Sequence, residues 1–103
     1  MSSRNTAVTQ LSRHGKLARE YWETYRLRAL VELGNEEQQE EFFHALDLRV
    51  TEKIGTLTQD LLQQLPADQR AAARRATRSQ AQELVYDEEI WLEKEPGTEH
   101  REM

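Results

Sequence analysis

The stretch NEEQQEEFFHALDLRVTEKIGTLTQDLLQQL, residues 35–65, decides the fold. Within it Phe43, Leu46, Val50, Ile54, Leu57, Leu61 and Leu65 recur at steps of three and four, which puts them on one stripe of an α-helix. No strand buries that set, because successive side chains of a strand alternate between faces. A helix of this length runs about 45 Å at about 1.5 Å per residue, and it needs packing partners along its length to be stable. Asn35 stands where a cap belongs, and Glu36, Glu37, Glu40 and Glu41 fall in the first turns, where the helix dipole favours acids. Gly55 inside the stripe permits a close contact or a slight bend, and Pro66 closes the run.

The flanking segments supply the partners. Upstream, Leu17, Ala18, Tyr21, Trp22, Tyr25, Ala29, Leu30 and Leu33 lie at helical spacing, predicting a first helix over about 7–33, capped by Thr6 or Thr9 and ended by Gly34. Gly15 marks either a break in this helix or a close approach of another backbone. Downstream, a third helix is predicted over about 68–93, with a thin edge through Ala73, Thr77 and Ala81 and a stickier end at Leu84, Val85, Tyr86, Ile90, Trp91 and Leu92. Pro96 and Gly97 stop it, leaving a trailing polar tail over 96–103. The expectation is one all-α domain, an antiparallel three-helix bundle with a long central helix over 36–65.

Composition narrows the function classes. The 103 residues are 37% hydrophobic and 32% charged, so apolar surface is scarce and must be concentrated on faces. No cysteine is present, which removes disulfides, thiolate catalysis and cysteine-ligated metal, and fits a cytoplasmic protein. No secretion signal or membrane span is visible. The net charge of −5 conceals alternating blocks: net +3 over 1–34, −5 over 35–47, zero over 48–65, +3 over 66–82 and −6 over 83–103.

Within the second basic block Arg70, Arg74 and Arg78 recur every four residues, with Arg75 beside them, a ridge whose guanidinium groups can each reach a phosphate. The competing reading pairs them with Glu36 to Glu41 or Asp87 to Glu89. A second basic strip, Arg13, Lys16, Arg19 and Arg26, is broken by Glu20 and Glu23. Tyr21, Trp22, Tyr25, Tyr86 and Trp91 read first as core and second as stacking platforms; an exposed Trp91 with Tyr86, and the acids Glu36, Glu37, Glu40 and Glu41, are the candidate partner-binding residues. Glu41 and His44 form only half of a di-metal motif, so neither metal nor any other cofactor is expected. No glycine-rich phosphate loop, nucleophile elbow or paired-histidine motif occurs, so neither an enzymatic activity nor a small-molecule substrate is expected.

Two segments resemble the TnpV family of small transposon-encoded proteins: HGKLAREYWETYR, residues 14–26, and AQELVYDEEIW, residues 81–91. The resemblance implies a mobile-element or plasmid setting and no reaction. In shape alone the chain is similar to the small helical subunits of CRISPR ribonucleoprotein effectors, which implies contact with nucleic acid through basic faces. The function expected is a non-enzymatic accessory subunit of a nucleoprotein assembly, touching RNA or DNA backbone. Self-association or another protein partner is also expected. The alternatives are a CRISPR small subunit and a protein-binding adaptor or inhibitor with acidic docking patches.

Overall fold

The longest element forms where the periodicity places it. In the computed structural model, which describes residues 10–103, α1 spans Arg13–Tyr25, α2 Leu27–Glu32, α3 Glu36–Gln63 and α4 Arg70–Glu89, with a 3₁₀ turn at Ala67–Gln69. The described residues are helical with no strand. The capping of the first helix by Thr6 or Thr9 lies outside them. Within them the cap of α1 is Ser12, whose hydroxyl accepts from the N–H of His14 at 3.3 Å.

α3 begins with a capping box: the Asn35 side chain accepts from the N–H of Gln38, and the Gln38 side chain accepts from the N–H of Asn35. Just upstream Gly34, at φ +122°, makes the turn from α2 that a side chain would strain. Phe43, Leu46, Val50 and Ile54 are buried as expected, each contributing roughly 2 kcal/mol of apolar burial. Beyond Ile54 the buried positions are Thr58 and Leu62, whereas Leu57, Leu61 and Leu65 are only partly covered. The seam continues in steps of four, and Thr58 is tolerated in it because its hydroxyl donates to the carbonyl of Ile54 at 2.6 Å.

α4 packs along α3 through Thr77 and Ala81 of the expected thin edge and through Val85 of the stickier end, while Ala73 is only partly covered. Leu84, expected to cover the stripe, is 50% exposed instead. The turn between the two helices is tied by Arg70, whose guanidinium donates to the carbonyls of Leu62, Leu65 and Gln63 at the end of α3. At the other end Lys53 and Arg49 hold Glu89, and Lys53 also holds Glu88.

α1 lies against the first half of α3, its described side-chain contacts running from Glu36 to Asp47. Gly15 resolves as a close approach within a continuous turn of helix, of side chains rather than of another backbone: a Cβ there would stand 2.9 Å from Cβ of Asp47 and 3.0 Å from Cδ2 of Leu11. Asp47 is itself buried and accepts from both the N–H and the hydroxyl of Ser12.

Besides the start of α1 at Arg13, with residues 10–12 outside the helix expected from about residue 7, two features differ from the sequence expectation. The first helix is interrupted at Arg26 (φ −137°, ψ 44°), which separates α1 from α2 without a glycine or proline. α4 stops at Glu89, and the segment after it folds back over the α1–α2 joint rather than trailing. Tyr21 donates to the carbonyl of Leu92 and Tyr25 to that of Arg101, both at 2.6 Å, and Thr98 is buried. The tail looks polar because much of what it bonds is backbone.

Candidate nucleic-acid interface

The structure divides the eight basic residues singled out by spacing. Arg70 is committed to the carbonyls that end α3. Arg19 bridges Glu23 at 3.3 Å and Glu36 at 2.8 Å, and the hydrogen bond to Glu36 is the main reason its pKa is raised. Arg26 donates to the carbonyl of Glu93 at 2.6 Å and lies over the Trp22 ring, 4.6 Å from its centroid. These three guanidinium groups hold the fold together.

The other five are differently placed. Arg74, Arg75 and Arg78 are exposed on α4, and none has a carboxylate within 4.0 Å among the described residues. The acids proposed to neutralise them are engaged elsewhere or stand apart: Glu36 is held by Arg19, Glu88 by Lys53, and Glu89 by Lys53 and Arg49. Arg13 joins this group across the helices, donating to the side chain of Gln82 at 2.9 Å, one turn beyond Arg78 on α4. Lys16 stands close to it on α1 and is exposed. The ridge and part of the second strip thus come together.

Beneath this junction lies a buried pair that the sequence did not disclose. His14 Nδ1 and the hydroxyl of Tyr86 are 2.5 Å apart, with the rings edge to face. Burial lowers the pKa of His14, Arg13 and Arg78 lower it further, and Asp47 opposes them. Burial likewise raises Tyr86. A neutral imidazole can accept from the Tyr86 hydroxyl and leave the positive surface to the arginines.

A groove of about 610 Å³ opens between α1 and α4, with Leu11, Leu17 and Tyr86 on its apolar side and Arg13, Lys16 and Gln82 on its rim. Glu20 and Glu23 mark its far end. Tyr86 is therefore core, whereas Trp91 is 41% exposed, packed edge-on against Tyr21 and Tyr86. Trp22 packs edge-on against the buried Phe43 and at a tilt against the partly buried Phe42. Glu37, Glu40 and Glu41 lie at the start of α3, outside the five-cation surface. His44 has a buried Nδ1 without a partner, and no group of three or more metal-ligating side chains occurs among the described residues. No helix among them is long and apolar enough to cross a membrane. The chain matches no family of known proteins, no curated protein and no solved structure.

Proposed function

We propose that this chain is a non-enzymatic accessory subunit of a nucleoprotein assembly, binding nucleic-acid backbone through Arg74, Arg75, Arg78, Arg13 and Lys16. The observation that carries the reading is the freedom of the three arginines on α4. Surface arginines beside available acids pair with them, and here Glu36, Glu88 and Glu89 are paired with other cations while Glu37, Glu40, Glu41 and Asp87 bridge none of the three arginines. Unsatisfied guanidinium groups at one-turn spacing suit a run of phosphates, which each can clamp through two N–H groups. The contact is electrostatic and independent of sequence.

In this reading the fold is a three-helix antiparallel bundle, with α1 and α2 together acting as one arm against α3. The cell compartment is cytoplasmic, and the setting is a mobile element or plasmid, as the resemblance of residues 14–26 and 81–91 implies. A CRISPR small subunit is the narrower form of the same reading.

The deciding experiment replaces Arg74 and Arg78 together by glutamate and measures retention of RNA and DNA across a salt series. Retention falls, helicity is unchanged, and the salt slope drops by about 1.4 for a single strand or about 1.8 for a duplex, the share of two lost phosphates. Undiminished retention sinks the proposal. The adaptor reading has its own support in Leu27 and Val31, exposed one turn apart on α2. It expects a protein partner that survives nuclease treatment.

A further inference from the structure

The break at Arg26 has an unusual cause. In an unbroken helix the N–H of Arg28 bonds the carbonyl of Thr24, and the N–H of Ala29 that of Tyr25. Here all four groups are bonded by the tail. The carboxylate of Glu95 accepts from Arg28 N–H at 3.0 Å and from Ala29 N–H at 2.9 Å. The backbone N–H of Glu95 donates to the Tyr25 carbonyl at 2.9 Å, and the Arg101 guanidinium donates to the Thr24 carbonyl at 3.1 Å. Two helical hydrogen bonds are thus replaced, donor by donor and acceptor by acceptor, by groups from more than sixty residues away. An inserted side chain is a recognised cause of a sharp helix kink.

The local sequence does not require that break. Residues Thr24 to Ala29 read TYRLRA, without glycine or proline, and the apolar spacing runs through them in one helical phase. The same backbone groups therefore have two complete sets of partners, one within the helix and one in the tail. These four backbone groups are thus bonded in either arrangement, as a bistable element requires.

We propose that the α1–α2 joint is a reversible receptor for an acidic segment, filled here by the chain's own tail, and that residues 13–32 join into one helix when it is empty. The recognised chemistry is a carboxylate seated on two backbone N–H groups, flanked by Arg26 and Arg28, with a backbone folded into two turns alongside. A groove of about 560 Å³ beside the joint, bordered by Leu27, Val31 and Pro96, follows the same path. A partner presenting an acidic peptide competes with the tail for this seat. Emptying the joint straightens the helix and redirects Leu27 and Val31.

The test uses the full chain with Glu95→Ala, and Glu95→Gln as the near-isosteric control, read by backbone nuclear magnetic resonance. In Glu95→Ala the Cα shift of Arg26 moves to the helical range, and the amides of Arg28 and Ala29 gain protection from exchange. Glu95→Gln, whose amide accepts through one oxygen only, gives shifts between those of the wild type and Glu95→Ala. A synthetic peptide spanning residues 93–101, added to Glu95→Ala, restores the wild-type pattern, and the same peptide with alanine for Glu95 does not. An Arg26 that stays non-helical in Glu95→Ala overturns the proposal, because the break then belongs to the helix itself. Random-coil shifts at Thr24 to Ala29 overturn it too, since the tail is then holding a segment without an alternative. Failure of the peptide to restore the pattern removes the receptor.

Discussion

Two glycines inside helices are expected to respond in opposite directions to the same substitution. Gly55, in the middle of α3, has nothing within 4 Å of the position a Cβ would take. Replacing it by alanine gains the propensity difference, about 1 kcal/mol. Gly15 in α1 has the same propensity to gain, but its new Cβ would stand 2.9 Å from Cβ of Asp47 and 3.0 Å from both Asp47 Oδ2 and Leu11 Cδ2. Asp47 cannot swing aside freely, because its carboxylate is bonded to the N–H and hydroxyl of Ser12. Overpacking of this kind costs about 1–3 kcal/mol, so Gly15→Ala is a net loss of roughly 1 kcal/mol. The two variants then differ by roughly 2 kcal/mol, or on the order of 10 °C in midpoint for a chain of this size. Thermal unfolding followed by circular dichroism, repeated in urea, reads the difference directly. Equal stabilisation by the two alanines refutes the close packing of α1 on α3.

Three further outcomes follow from the geometry. Arg70→Ala leaves the last carbonyls of α3 without their donor and lowers stability by about 1–2 kcal/mol in urea titration, whereas Arg74→Ala stays within about 0.5 kcal/mol. Equal effects of the two would refute the division between fold and interface. Stability also depends on pH through His14: its folded pKa is lowered by burial, so the unfolded chain binds the proton more readily. This contribution is intact above the unfolded value of about 6.5 and is lost as pH falls below it. A urea midpoint that falls between pH 7.5 and 5.5 in the wild type and much less in His14→Gln is the expected pattern; the same fall in both variants refutes it. Finally, Tyr25→Phe removes the bond to the Arg101 carbonyl and costs about 1 kcal/mol, with faster amide exchange around Thr98. Unchanged exchange there refutes the anchoring of the tail through Tyr25.

Phe43, Leu46, Val50 and Ile54 were legible because large apolar side chains at helical spacing have one economical way to be buried. Thr58 was not, since its polarity is cancelled by a bond to its own helix that no spacing rule displays. The expected series Leu57, Leu61 and Leu65 is only partly covered because the seam steps four residues from Ile54, to Thr58 and Leu62, where the sequence reading stepped three. Asn35, Gly34 and Pro66 announced the turns, being residues whose backbone chemistry is local. Arg26 announced nothing, for the groups that interrupt the helix there belong to Glu95 and Arg101. Within the candidate interface, spacing alone located Arg74, Arg75 and Arg78. It could not separate them from Arg70, Arg19 and Arg26, whose partners are carbonyls, carboxylates and an aromatic ring brought near by folding. The pairing of His14 with Tyr86 spans 72 residues and was invisible for the same reason.

The tail's hold on the α1–α2 joint also fixes an order of events during synthesis. Its bonds to Thr24, Tyr25, Arg28 and Ala29 reach back 66 to 77 residues, so the ribosome has passed residue 95 before any of them can form. Until residue 95 emerges, the nascent segment around Arg26 has only its own helical partners. On the proposal above, the broken helix is a late product of translation, and a nascent chain stalled before that point carries the unbroken form.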